Sequence, residues 1–251
     1  MKQKTGILAS VRLPRWALFA FAYAFLFALT LSSVYAQPPQ SKRSLDAIKR
    51  VTPELQQALA QKNLTLGAPV FLRIFKQEKT LEAWVRGSDD RFVLFREYPI
   101  CYFSGKLGPK LRKGDEQAPE GFYHVTAQRM NPYSSYHLSF DLGYPNAYDR
   151  AHQRTGSALM VHGRCVSIGC YAMGDGNIEQ IYALLDAALR NGQKMVDVHA
   201  FPFHLNDQAL AQHKDNAWHS FWQQLKPGYD AFEEKRIPPD ISVKQKKYVV
   251  H

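Results

Sequence analysis

The 251-residue chain has few cysteines, no excess of acid and no second long apolar run, and each absence excludes something. After Leu31 no apolar stretch reaches the roughly 20 residues a membrane span needs, so the remainder is expected to fold in water. There is no His-Glu-x-x-His or comparable ligand spacing. Asp197-Val198-His199 with His204 is therefore read as structural, and no metal or other cofactor is expected. Cys165-Val166-Ser167-Ile168-Gly169 does not match the Gly-x-Ser-x-Gly of a serine-hydrolase elbow, which leaves Ser167 to shape a turn. No internal repeat is present. Nor is there an interleaved basic and aromatic stripe, so nucleic acid is not an expected partner. Against 32 Lys and Arg stand only 22 Asp and Glu, for a net charge of +10. Such a balance favours anionic polymers or phospholipid surfaces.

The N-terminus reads as a processing signal. Lys2, Lys4, Arg12 and Arg15 precede an apolar run from Trp16 to Leu31, and Val34 and Ala36 suit cleavage before Gln37. The run holds 16 residues, short for a membrane anchor. Residues 1–36 are thus expected to be a signal peptide that directs export to the periplasm. Their loss leaves 215 residues and lowers the charge from +10 to +6. That length supports one domain with appendages.

A polar linker begins at Gln37. Residues 44–60 read as one or two amphipathic helices, with Thr52-Pro53 favouring a second start. From Pro69 the pattern turns to β: Val70–Phe75, Leu81–Val85 and Phe92–Phe95 are short β-branched and aromatic runs, and Gly87–Asp90 supplies a turn. This meander suits a sandwich or barrel. Residues 104–120 form a long loop whose Lys106, Lys110, Arg112 and Lys113 are candidates to receive a carboxylate. Strands are expected again over 121–127, 136–142, 158–162 and 195–200. A clear helix covers 177–190, and a second is expected over 206–225, stopped by Pro227-Gly228. The tail from Asp230 is expected to be extended over the domain or disordered. The resulting division is 37–68 linker and N-terminal helical segment, 69–200 main domain, and 201–251 C-terminal helical extension and tail.

Three cysteines, Cys101, Cys165 and Cys170, make an odd count, so an oxidising compartment leaves at least one unpaired. Cys101 and Cys165 are either a disulfide or two buried thiols. Cys101, inside the apolar Tyr98–Phe103 stretch, is read as a packed core cysteine. A reversible Cys165–Cys170 bridge is the remaining alternative. In Leu159-Met160-Val161-His162-Gly163-Arg164-Cys165-Val166-Ser167-Ile168-Gly169-Cys170 a histidine sits eight residues before a cysteine. That spacing is too long for one helical face, so the two are expected to meet across a strand and the turn after it. An imidazole that takes the thiol proton, with backbone amides near Gly169 and Cys170 facing a carbonyl, makes a thiol acyl-transfer centre. Gly163 and Gly169 allow close approach of a bound peptide.

HGRCVSIGC resembles the His-Gly…Ser-x-Gly-Cys signature of the L,D-transpeptidases, the YkuD-type cysteine enzymes of peptidoglycan. Ser135–Phe140, Gly143-Tyr144-Pro145-Asn146 and Cys170–Met173 are similar to the YafK-like branch, and Ala118-Pro119-Glu120-Gly121-Phe122-Tyr123 resembles the family's Thr-Pro-x-Gly-x-Phe/Tyr element. The resemblance spans roughly residues 69 to 200. It implies a mainly β, α+β overall, L,D-transpeptidase-type β-sandwich with flanking N- and C-terminal helices. It also implies Cys170 as nucleophile, His162 as proton donor and acceptor, and Gly163, Ser167 and Gly169 as oxyanion or turn support. Tyr171, Tyr136, His137 and Arg154 are substrate-contact candidates. The substrate implied is a peptidoglycan stem peptide attacked at diaminopimelate. The acceptor is a stem-peptide amine, a lysine of a peptidoglycan-linked lipoprotein, or water, and the enzyme is expected to be a monomer. Papain-like enzymes place Cys before His, the reverse of this order. One departure stands out: most members follow the nucleophile with an aliphatic residue and Arg or Asn, whereas Tyr171 and Ala172 follow Cys170.

Overall fold

The computed structural model describes residues 36–251, which form one compact unit. The processing signal expected over 1–36 lies, but for Ala36, outside the described residues. Helix α1 (Lys42–Ala60) opens with a capping box in which Ser41 and Ser44 satisfy each other's backbone. Its Ala47, Val51, Leu55 and Leu59 share one buried face. Pro53 does not start a second helix. It sits on the exposed side, where water can meet the carbonyl it leaves without a donor.

Strands β1 (Val70–Phe75), β2 (Thr80–Arg86), β3 (Phe92–Pro99), β4 (Tyr102–Phe103), β5 (Gly121–Val125), β6 (Met130–Asn131) and β7 (Ser139–Asp141) follow. Then come α2 (Ala147–Ala151), β8 (Met160–His162), β9 (Tyr171–Ala172), α3 (Asp175–Arg190) and β10 (Val196–Phe201). The chain closes with α4 (Asp207–Gln212), α5 (His219–Lys235), β11 (Ile241–Lys244) and β12 (Lys247–Val250). One mixed sheet has the order β3-β2-β1-β10-β5 and the other β4-β9-β8-β7-β6, so the fold is α+β as expected.

Alternation along β10 assigns the two faces of the first sheet. Val196, Val198 and Ala200 join the main core with α1, α3 and the second sheet, while Phe201 joins a separate aromatic cluster with Phe122, Trp222 and Tyr229. The C-terminal extension covers that outer face, which is why all six residues of β1 are buried. Even Arg73 lies inside, paired with Glu82 and Glu233.

Four expectations are corrected. The helix expected over 206–225 is two helices, and α5 runs through Pro227-Gly228. A Cβ on Gly228 would come within 2.6 Å of Phe122, so this glycine serves close packing against β5 rather than a stop. The tail from Asp230 starts as helix, since α5 runs on to Lys235, and only then extends over the domain, where β11 and β12 pair as a hairpin. The strand expected over 136–142 shrinks to β7, since His137 has φ 70°, a left-handed conformation no strand accepts. Finally, Cys101 is not a core thiol: it is exposed and bonded to Cys165, with Cα atoms 5.4 Å apart.

Candidate active site

Strands β8 and β9 run parallel, with Val161 beside Tyr171 and His162 beside Ala172. One residue back, Met160 stands beside Cys170, and the Met160 N–H donates to Cys170 Sγ at 3.4 Å. Side chains alternate along strands, so His162 and Cys170 fall on the same face of the sheet, two positions apart along the ladder. The two side chains thus share a face across a strand and the turn that follows it, and among the described residues no hydrogen bond joins them. The thiol in turn donates to Ala158 O at 3.7 Å, and among the described cysteines Cys170 alone is free.

The turn before the nucleophile is organised by Ser167. Its Oγ accepts from the N–H groups of Gly169 at 3.2 Å and Cys170 at 2.7 Å, and donates to Cys170 O at 2.7 Å. Gly169 has φ 137°, available at low cost only to glycine. The two amides expected to meet an oxyanion are thus occupied by Ser167, whose observed role is turn support. Upstream, the Arg164 N–H donates to Asp175 Oδ1 at 2.7 Å and the Met173 N–H to His162 O at 2.8 Å, which ties the His162 segment to the start of α3. A Cβ on Gly163 would lie 2.7 Å from both Asp175 Oδ1 and Tyr136 O, so glycine is required there for close packing.

His162 is 2% exposed, and its Nδ1 lies 2.6 Å from Gly163 O. A carbonyl only accepts, so Nδ1 carries the proton and Nε2 keeps its lone pair for the thiol proton. Burial lowers the His162 pKa below 6.5, opposed by that hydrogen bond. Burial likewise raises the Cys170 pKa above 9.0, with the Met160 N–H opposing. At neutral pH the pair rests as imidazole and thiol, not as an ion pair.

The Tyr136 ring lies over the imidazole at 4.7 Å between centroids. The preceding loop is held from outside the catalytic strands. Arg43 of α1 donates to Ser134 O and His137 O, each at 2.8 Å, and His137 Nε2 lies 2.7 Å from Glu179 Oε1. Glu179, on α3, is itself bound by Arg50 of α1.

Beside Cys170, sharing its partners Met160 and Ala158, opens a cleft of about 640 Å³ that also exposes Arg129, Asn131, Tyr133 and Arg150. Arg129 donates to His124 O at 2.5 Å and rests on Gly143, where a Cβ would collide with its guanidinium. Arg150 donates to Pro145 O. Each guanidinium has five N–H donors, so one anchoring bond leaves others for a carboxylate.

Residues 69–198 match the family model described as the YkuD L,D-transpeptidase catalytic domain. The chain belongs to the YkuD L,D-transpeptidase family. It is 47% identical over 189 residues, 75% of this chain and 76% of the other, to the Escherichia coli K12 protein named "Putative L,D-transpeptidase YafK". Among solved structures it is similar to the helical cell shape determining protein Pgp2 of Campylobacter jejuni, with 18% identity, TM-score 0.42, and 76% of this chain and 80% of that one covered. It is also similar to Bd1075 of Bdellovibrio bacteriovorus, with 17% identity, TM-score 0.40, and coverage of 73% and 79%.

The fold brings together the family-signature residues His162, Gly163, Ser167, Gly169 and Cys170, with Tyr136 at their edge. It does not deliver the other three substrate-contact candidates. Tyr171 is fully buried, its hydroxyl donating to Pro119 O at 2.6 Å. Arg154 is 8% exposed, paired with Asp149 at 2.8 Å and packed on the rings of Tyr148 and Phe221. His137 is engaged by Glu179. Of the loop cations, Lys110 is buried against Asp115, while Lys106, Arg112 and Lys113 are exposed and do not line the cleft beside Cys170. The cleft arginines Arg129 and Arg150 escaped the sequence reading.

Proposed function

We propose that this chain is an exported enzyme of peptidoglycan that transfers the acyl group of a stem peptide through a Cys170 thioester. The observation that carries the reading is a free thiol, hydrogen-bonded to the cleft residues Met160 and Ala158, on one strand face with an imidazole whose tautomer leaves Nε2 as acceptor. In the first half-reaction Nε2 takes the Cys170 proton and Sγ attacks the stem-peptide carbonyl, forming the C–S bond. As the tetrahedral species collapses, the C–N bond breaks and the leaving amine takes the proton back from His162. An amine or water then attacks the thioester carbonyl as His162 takes its proton, the C–S bond breaks, and the proton returns from His162 to Cys170 Sγ. Oxyanion stabilisation by the Gly169 and Cys170 amides requires the Ser167 hydroxyl to yield its two hydrogen bonds. Arg129 and Arg150 hold carboxylates of the donor peptide, the task that an Arg after the nucleophile would serve.

A disulfide between two exposed cysteines supports the export reading, because such bonds persist in oxidising compartments. It also removes Cys101 and Cys165 as partners for Cys170. In this reading residues 1–36 are removed before Gln37, and the protein works as a monomer in the periplasm.

The test is incubation of the purified protein with stem-peptide muropeptides, with and without an amine acceptor, read by product mass. Transpeptidation yields a product joined to the amine. A product gaining only water identifies a hydrolase, including one that cuts links between peptidoglycan and a lipoprotein lysine. Arg129→Ala should raise KM at least tenfold with little change in kcat, since a carboxylate far from the reacting carbonyl contributes equally to ground and transition states. No product from either incubation would remove the proposal.

A further inference from the structure

A second cleft, of about 460 Å³, lies where the C-terminal segment Pro238–Val243 passes over the outer face of β5 and β10. One wall comes from the span matched by the family model, with Phe122 and Asp197, and the other from the C-terminal extension, with Asp240 and Tyr248. Its polar groups are one-sided. Asp197 and Asp240 both line it, and neither side chain is hydrogen-bonded or ion-paired among the described residues. No lysine or arginine lines it, although the chain carries a net charge of +10.

His199 adds an independent observation. It lines the same cleft, is 2% exposed, and its Nδ1 has no hydrogen-bond partner. Its ring packs edge-on against Phe71 and Phe122, each 4.7 Å away between centroids. Arg73, the nearest buried cation in register, is already paired with Glu82 and Glu233. A buried polar group with no partner is costly, and native structures seldom keep one without a use.

We propose that this cleft binds a primary ammonium group carried on a flexible side chain, with Asp197 and Asp240 as counter-charges and His199 as neutral acceptor. The two carboxylates and the one lone-pair nitrogen of the neutral His199 ring supply three acceptors for the three N–H bonds of an alkylammonium. Phe122 and Tyr248, 4.8 Å apart between centroids, offer apolar walls for the methylenes of such a side chain. The electrostatics agree. Burial and the charge of Asp240 push the Asp197 carboxyl up to about 6, and burial pushes the His199 imidazole down to about 3. His124, beside Asp197 in the sheet, is held below its ordinary value by burial and Arg129, so it supplies no standing cation. A bound ammonium would relieve the two carboxylates.

If the proposed function holds, the free amine of an uncrosslinked diaminopimelate or a protein lysine brings such a group, and the cleft tethers the enzyme to its polymer or to an attached protein. The binding test does not depend on activity. The purified protein is titrated with Nα-acetyl-lysine methylamide, its Nε-acetylated counterpart, and a stem tripeptide with a free diaminopimelate amine. Binding is followed by amide shifts of residues 122–124, 195–199 and 238–248. The free amines should perturb these residues and the Nε-acetylated probe should not; tighter binding by lysine or by tripeptide identifies the natural source. Asp197→Asn and Asp240→Asn should each weaken binding at least tenfold. Asp240 is exposed, so its variant keeps the test open if Asp197→Asn fails to fold. Equal shifts from acetylated and free probes, no shifts from any probe, or unchanged affinity in folded variants would overturn the proposal.

Discussion

At the scale of single residues, the ionisation states of His162 and Cys170 decide how the centre starts its reaction. Both are pushed by burial toward their neutral forms. The proton must therefore move during attack, so activity needs imidazole rather than imidazolium. The kcat/KM profile is expected to rise with pH through a value below 6.5, then stay level until above pH 9. Alkylation of Cys170 should rise with pH up to a pKa above 9.0 and level off only beyond it. His162→Gln should be slower at neutral pH, where no imidazole takes the proton, and equal to wild type once hydroxide ionises the thiol. A thiol that alkylates at its full rate by pH 6 would instead indicate a standing ion pair. Ser167 carries a second expectation. Ser167→Ala strands the N–H groups of Gly169 and Cys170, a loss of about 1–3 kcal/mol for buried donors. The turn loosens and kcat should fall by about tenfold or more, since each 1.4 kcal/mol in the barrier is a factor of ten. A faster Ser167→Ala enzyme would mean that freeing the two amides outweighs the loss of order in the turn.

At the scale of elements, the Cys165 loop is fastened at two points: by the bridge to Cys101 and by Ser167 before Cys170. The bridge spans 64 residues, for which chain entropy alone gives a stabilisation of about 4 kcal/mol. A Cys101→Ser/Cys165→Ser protein should lose about 2–4 kcal/mol of stability in denaturant unfolding. It should still turn over substrate, because neither sulfur is the nucleophile; a folded but inert double variant would contradict that assignment. These elements also define what could be read from sequence. His162 and Cys170 were legible because their spacing and flanking glycines are local, and strand pairing preserves local order. The left-handed His137 was not, because Glu179, Arg50 and Arg43 impose it from two helices distant in sequence. Pro227-Gly228 reads as a stop in isolation, yet Gly228 is there to let α5 meet Phe122. Tyr171 and Arg154 are residue types that suit a substrate pocket. Their burial depends on Pro119, Asp149 and Phe221, which no local pattern brings to them.

At the scale of the whole molecule, the C-terminal extension and the catalytic sheet are joined through a buried hub. Lys76 and Glu120, both fully buried, pair at 3.0 Å, and Glu120 also accepts from Trp222 Nε1 at 2.8 Å. The hub fixes the 104–120 loop, whose Pro119 carbonyl receives the Tyr171 hydroxyl beside the nucleophile. The family model covers residues 69–198, and through Trp222 the hub ties the C-terminal extension to them. The claim that organises all three scales is that Cys170 carries the acyl group. Its most direct test is the intact mass of the protein quenched in acid during turnover of a stem-peptide substrate. The account predicts a mass increase equal to the acyl fragment, mapped to the Cys170 peptide, released by hydroxylamine and absent from folded Cys170→Ala, which should be inactive. Turnover by Cys170→Ala, or an adduct mapped to any other residue, would contradict it.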